Sequence, residues 1–226
     1  MLPSEPERAA ARATATGPDP AGVAPRVRMT GPQRRRQLVA VGRSVFAAKG
    51  LDGATIEEIA TAAGVTKPVV YEHFGSKEGL YRQVVEQESE SLLEAIGSSL
   101  GDGGRPRVLV ERAALALLGY IEEHTDGFRI VVRDAPPGHR EGAFSSILSR
   151  VTARVEHILG DEFAARGFST GDGAMYAQML VGMVAMTGQW WPDARSPDKH
   201  AVAAHLVNLA WNGLTGLQRD PGLVDS

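Results

Sequence analysis

Lys67, Pro68 and Val69, followed closely by Tyr71 and His73, bring together a cation, two apolar surfaces, a phenol and an imidazole. At the start of a helix these groups match the edges of base pairs. Lys67 can donate to guanine O6 and N7, while Pro68 and Val69 can meet a thymine methyl. Thr55, Thr66, Tyr71, His73 and Lys77 suit phosphate oxygens, as do Arg34, Arg35 and Arg36 upstream, and such contacts set register, not base preference. Catalytic chemistry finds no comparable set. GFSTG at 167–171 fits G-x-S-x-G, but the preceding HILGDEFAARG reads as a helix end instead of the buried strand that a nucleophile elbow needs. His200 and His205 fall on different helix faces, and His124, His139 and His157 have no second ligand at metal spacing. Neither a phosphate-binding glycine loop nor HExxH is present. The expectation is a chain that is not an enzyme, with no catalytic residue, metal site or cofactor.

The elements that must position the base readers are legible around them. Thr55 with Glu58 three residues on forms a capping box that starts a helix. That helix ends at Ala63, where Gly64 supplies the left-handed backbone of a tight turn. Thr66 is the expected N-cap of the next helix, with Pro68 in its first turn. Ile56, Ile59, Ala60, Ala63, Val65, Val70 and Phe74 fall where helices would converge on a small core. Leu38, Val41, Val45 and Phe46 recur at helical spacing upstream and provide a first helix closed by Gly50.

These residues carry a resemblance. FAAKG followed by TIEEIATAAGVTKPVVYEHFGSKEGLY, within roughly residues 34 to 81, resembles the TetR family of bacterial transcription regulators, with Thr55, Ala60, Gly64, Val65, Tyr71, Phe74 and Lys77 in the family's order. The resemblance implies an all-α fold: a three-helix helix-turn-helix domain, then a larger helical domain for ligand binding and dimerisation. It also implies a ligand-responsive repressor, released from a palindromic operator when a small apolar molecule binds. The same three-helix core could instead serve a non-specific architectural DNA-binding protein.

Composition is consistent with two unequal domains. The chain has 226 residues, 43% of them apolar, no cysteine and a net charge of -3. The charge is unevenly spread: residues 26 to 77 carry nine Lys or Arg against four acids, whereas 78 to 226 carry 13 against 20. The basic side therefore belongs to the expected helix-turn-helix unit. Lack of cysteine suits a reducing cytosol, and neither an export signal nor a membrane-spanning run is evident, so a cytoplasmic protein with no membrane partner is expected. Residues 1–30, rich in Ala, Pro, Gly and Arg, read as a disordered arm, and its basic end could reach DNA or stay solvated. Residues 31–76 form the expected DNA-binding domain and 77–226 the ligand-binding and dimerisation domain.

In the second domain, Ser76 caps a linking helix from about Lys77 to Leu100. VLVERAALALLGYIEE is apolar around most of its circumference and should be buried. A break at Thr125 to Gly127, a short piece through FRIVVRDA, and Pro136-Pro137-Gly138 lead to a helix from about Glu141 to Arg166. One further helix should stop at Pro192, and the last, capped by Ser196 with Pro197 first, should reach about Arg219. Small residues on these two, among them Ala177, Gly182, Ala185, Gly188, Ala203, Ala204, Ala210 and Gly213, permit the close approach of a homodimer seam. Met175, Met179, Met183 and Met186 share one face and could line a pocket for a flexible apolar ligand or pack as ordinary core. Tyr120, Phe128, Phe144, Leu148 and Trp190 lie on helices that would surround it. GFRIVVRDA, VGMVAMTGQWW and AWNGL resemble family members from actinobacteria that sense long-chain acyl groups, which implies an acyl effector.

Overall fold

Side-chain caps fix several of the helix starts. The computed structural model describes residues 29–101, 104–134, 142–169, 171–194 and 196–217, and among them every regular element is helical. α1 (Gly31–Gly53) begins at Thr30, whose hydroxyl accepts from the Gln33 amide while the Gln33 side chain returns to the Thr30 amide. α2 (Ile56–Ala63) repeats that arrangement with Thr55 and Glu58, and Gly64 ends it at φ 64°. α3 (Lys67–Phe74) follows, then α4 (Lys77–Gly101), where the Ser76 hydroxyl accepts from the Gly79 amide at 2.9 Å. Gly79 is needed at that corner, since a Cβ there would lie 2.2 Å from the Phe74 carbonyl oxygen.

The remaining helices are α5 (Pro106–Glu123), α6 (Thr125–Arg133), α7 (Ala143–Ala165), α8 (Asp172–Ala194) and α9 (Lys199–Thr215). Two main hydrophobic cores result. Leu38, Phe46, Ile59, Val70, Leu80 and Val84 fill the first, and Ile130 of α6 joins them. The second collects Leu92, Ile96, Leu118, Ile121, Phe128 and Trp191 with their neighbours. α4 thus closes the first core with its first turns and opens the second core with its later ones, and α6 straddles both.

Several boundaries depart from the sequence reading. Thr66 occupies the N-cap position of α3, but its hydroxyl makes no cap bond; its carbonyl accepts from the Val69 amide at 3.1 Å. Gly50 kinks α1 at φ 72° instead of closing it, and the helix resumes to Gly53. The break expected at Thr125 to Gly127 contracts to His124 alone, because α6 starts at once. α8 runs through Pro192 to Ala194, and the proline removes one backbone hydrogen bond from the last turn. The cap of α9 is Asp198, whose carboxylate accepts from the His200 and Ala201 amides at 2.9 and 3.0 Å; a carboxylate satisfying two orphan donors displaces Ser196 from that role. Trp191 is buried and donates its indole N–H to the Pro197 carbonyl at 2.8 Å. Residues 1–28 of the N-terminal arm, Pro136-Pro137-Gly138 with the rest of 135–141, and Arg219 lie outside the described residues.

Candidate functional site

Gly64 turns the chain so that the first turn of α3 faces outward. Thr66, Lys67, Pro68 and Tyr71 are exposed, Tyr71 by 49%, while Val70 is fully buried in the first core. Val69 is divided between the two surroundings: it packs partly against that core, so only part of it can meet a base. Lys67 is not idle. Its ammonium lies 2.7 Å from Glu57 Oε2 at the start of α2, and that hydrogen bond holds the lysine pKa above its ordinary value. Both partners are solvent-exposed, so the pair is weak and can be exchanged for a guanine edge. Glu57 escaped the sequence reading; its signal was only a carboxylate in the first turn of α2, which also suits the helix dipole.

The expected phosphate anchors separate into free and committed groups. Arg36 is exposed on α1. Arg35 is held on three sides: it donates to the His73 carbonyl and to Gln83 Oε1, both at 2.6 Å, and its guanidinium lies 4.6 Å above the centre of the Phe74 ring. Arg34 donates to Gln37 at 2.6 Å, and Gln37 in turn caps the Ala63 carbonyl at 3.1 Å. Lys77 donates to the Ala54 carbonyl at 3.1 Å, and the Thr55 hydroxyl accepts from the Glu58 amide. Arg35, Lys77 and Thr55 therefore fasten the helices to one another, a role that charge and position alone did not disclose. His73 is half-buried beside Phe74 in the last turn of α3.

A second site lies in the larger helical unit. An apolar cavity of about 980 Å³, counted with its open mouth, is enclosed by α4, α5, α7, α8 and α9. Leu92, Ile96 and Leu100 line it from α4, Leu109 and Leu117 from α5, and Val151, Val155 and Ile158 from α7; none of its 21 lining residues is charged. Trp211 of α9 supplies the lone side-chain N–H among them.

Of the residues expected to hold a ligand, the structure brings Phe144 and Leu148 to this wall. The others lie away from it. Met175, Met179, Met186 and Trp190 do share a face, but it looks outward, with exposures from 47% to 65%. Met183 packs against the second core without lining the cavity. The opposite side of α8 is taken by α7, against which Ala177 is buried beside Leu159 and Phe163, and this packing turns the methionines away. Phe128 stands one layer behind the wall, edge-on to Phe144 with ring centres 6.0 Å apart. Tyr120 belongs to a polar junction. The small residues expected at a seam are mostly internal as well: Ala177, Ala185, Gly188, Ala203 and Ala210 are buried within the chain. On α8 the exposed large apolar side chains are Met175, Met179, Met186 and Trp190, and on α9 Leu209.

Between the two sites sits a buried carboxylate. Glu88 of α4, 2% exposed, accepts from Arg43 of α1 at 2.9 Å and from the Tyr120 hydroxyl of α5 at 3.0 Å. Burial, together with the Glu88 charge, holds the Tyr120 phenol well above its usual pKa. Gly127 of α6 lies against the same carboxylate, where a Cβ would come 1.9 Å from Oε2. Arg133 of α6 donates to the Ala47 carbonyl of α1 at 3.3 Å.

Comparison with known proteins gives two family matches along the chain. A family model described as "Bacterial regulatory proteins, tetR family" matches residues 38–84, and one described as "Tetracyclin repressor-like, C-terminal domain" matches residues 106–213. The HTH-type transcriptional activator FasR of Mycolicibacterium smegmatis is 29% identical over 188 residues, 81% of this chain and 84% of that protein. The HTH-type transcriptional repressor DhaR of a Mycobacterium species is 38% identical over 74 residues, 33% of this chain and 37% of that one. Among solved structures, the transcriptional regulator FadR of Bacillus subtilis in complex with stearoyl-CoA superposes with a TM-score of 0.64 at 18% identity, over 77% of this chain and 96% of that one.

Proposed function

We propose a function from one premise: the chain belongs to the TetR family of bacterial regulatory proteins, which are DNA-binding transcriptional regulators and not enzymes. Residues 31–76 would be its DNA-binding domain and 77–226 its ligand-binding and dimerisation domain, in a cytoplasmic protein. Lys67, Pro68 and the free part of Val69 read base edges, while Arg34, Arg36, Thr66, Tyr71 and His73 meet phosphates. Two copies pair through the exposed apolar face of α8 and α9 and set two α3 helices in successive major grooves, about 34–36 Å apart, on a palindromic operator. Among the described residues no helix is long and apolar enough to cross a membrane.

The almost wholly apolar cavity carries the proposed effector, a long unbranched hydrocarbon chain whose polar head stays at the mouth. Lining residues on α7 run from Phe144 to Leu159, about 22 Å at 1.5 Å per residue. An extended chain advances about 1.25 Å per carbon, from a 1.52 Å bond at a near-tetrahedral angle, so that length takes roughly 18 carbons. A buried carboxylate or phosphate would find only the Trp211 N–H as a side-chain partner on such a wall, so an acyl thioester with an external head fits better than a free acid held inside. Stearoyl-CoA, the ligand of the Bacillus subtilis relative, has that form.

Ligand binding weakens operator affinity, and the protein acts as a repressor. A second reading, an activator, is favoured by the name of the Mycolicibacterium smegmatis relative. Selection of duplexes from a random pool by the purified protein tests the DNA reading: enrichment of one two-fold symmetric site is expected. Equal retention of all sequences would instead mark an architectural DNA-binding protein. A promoter fusion carrying the selected site then separates repression from activation by the sign of its response.

A further inference from the structure

We infer that Arg43, Glu88 and Tyr120 form the joint through which cavity occupancy reaches the DNA-binding unit, with Glu88 and Tyr120 as positioning residues for regulation. The inference rests on the proposed reading that the cavity holds the effector. Each member comes from a different helix: Arg43 from α1 of the DNA side, Glu88 from the shared α4, and Tyr120 from α5 of the cavity side. Glu88 is 2% exposed, so its carboxylate depends on the guanidinium at 2.9 Å and the phenol at 3.0 Å. Three apolar residues would hold the same helices together without that desolvation, so stability alone is a poor explanation for the triad.

Position supplies the explanation. Leu92 lies one turn beyond Glu88 and Leu117 one turn before Tyr120, on the same helix faces, and both leucines line the cavity. A chain entering the cavity presses on the leucines and moves α4 against α5. Hydrogen bonds of about 3 Å fail within a few tenths of an ångström to one ångström, so the joint yields abruptly where apolar packing would yield gradually. α6 reinforces it. Gly127 abuts the Glu88 carboxylate, its neighbour Phe128 rests on the cavity-wall residue Phe144, and Ile130 reaches the DNA-side core. Released from Glu88, Arg43 no longer fixes the tilt of α1, and the two recognition helices of a dimer lose their spacing.

The chain has no cysteine, so a single Ala48→Cys on the exposed side of α1 takes one spin label per copy. Double electron–electron resonance on the full-length dimer then reads the spacing with and without stearoyl-CoA, beside the affinity for the selected duplex. In the otherwise unaltered protein, stearoyl-CoA is expected to shift the label distance and lower DNA affinity by about tenfold or more, within the usual range of coupling. With Tyr120→Phe or Glu88→Gln, each ligand alone should bind within about threefold of the unaltered protein, and the effect of one on the other should fall below about twofold. Triple replacement by Arg43→Met, Glu88→Met and Tyr120→Phe leaves no unpaired buried group, so it keeps the test sound where a single variant folds poorly; it too should bind both ligands without coupling. Full coupling in these variants overturns the joint and leaves the effector reading standing. Absence of coupling in the unaltered protein overturns both.

Discussion

The first turn of α3 and the cavity behind α4 differ in how they are built. The DNA-side surface is a few consecutive residues on a helix eight residues long, held by caps and by a small core beneath. The cavity is a wall of 21 residues from five helices, from Leu92 to Leu214, none of them charged. Recognition of a polymer edge needs polar groups at fixed offsets, whereas enclosure of a hydrocarbon needs only the absence of polar groups across a large area. The difference teaches that the two sites should fail independently, except where Glu88 joins them.

Filling the cavity should give the largest one-sided effect. Ala113→Trp, on its α5 wall, is expected to lower stearoyl-CoA affinity on the order of 100-fold by excluding the chain, with ligand-free operator affinity unchanged by fluorescence anisotropy. Loss of both would break the independence. On the other side, Lys67→Ala should relax preference at one base pair by about tenfold. Arg36→Ala should weaken all sequences alike and reduce the slope of log affinity against log salt by about one. Neither should alter ligand affinity. At the junction, Gly127→Ala forces a methyl into a carboxylate pinned by Arg43 and Tyr120, and should destabilise the fold by about 1–3 kcal/mol, seen as a lower melting temperature.

The smallest effect is a titration. Burial, aided by Asp134, pushes the Tyr81 phenol up to about 12. In the unfolded chain it titrates near its ordinary value of 10.0, so between about pH 10 and 12 the folded state retains a proton that the unfolded state has lost. Stability should therefore hold below about pH 10 and decline toward 12, and Tyr81→Phe should shallow that decline in denaturant titrations.

The sequence disclosed what is local. Thr55 and Glu58 declared a helix start and Gly64 a turn because the bonds and backbone angles involved lie within a few residues. Phe144 and Leu148 were readable as wall residues from the helices they occupy. The methionines of α8 were not, since a four-residue period tells which residues share a face but not where that face looks; packing of Ala177 against Leu159 and Phe163 decides that. Arg35 and Lys77 were read as groups suited to phosphate oxygens, and only the chain's return past His73 and Ala54 shows their carbonyl partners. Glu88 drew no notice, because Arg43 stands 45 residues away in sequence and Tyr120 stands 32 away.

The central claim is that an apolar ligand controls DNA binding at a distance. Its most direct measurement is the affinity of the full-length dimer for its selected duplex, titrated with stearoyl-CoA at fixed salt while ligand binding is followed in the same samples. A fall in DNA affinity of about tenfold or more, saturating with ligand occupancy, is the expected result. Saturated ligand binding with DNA affinity unchanged would contradict the claim.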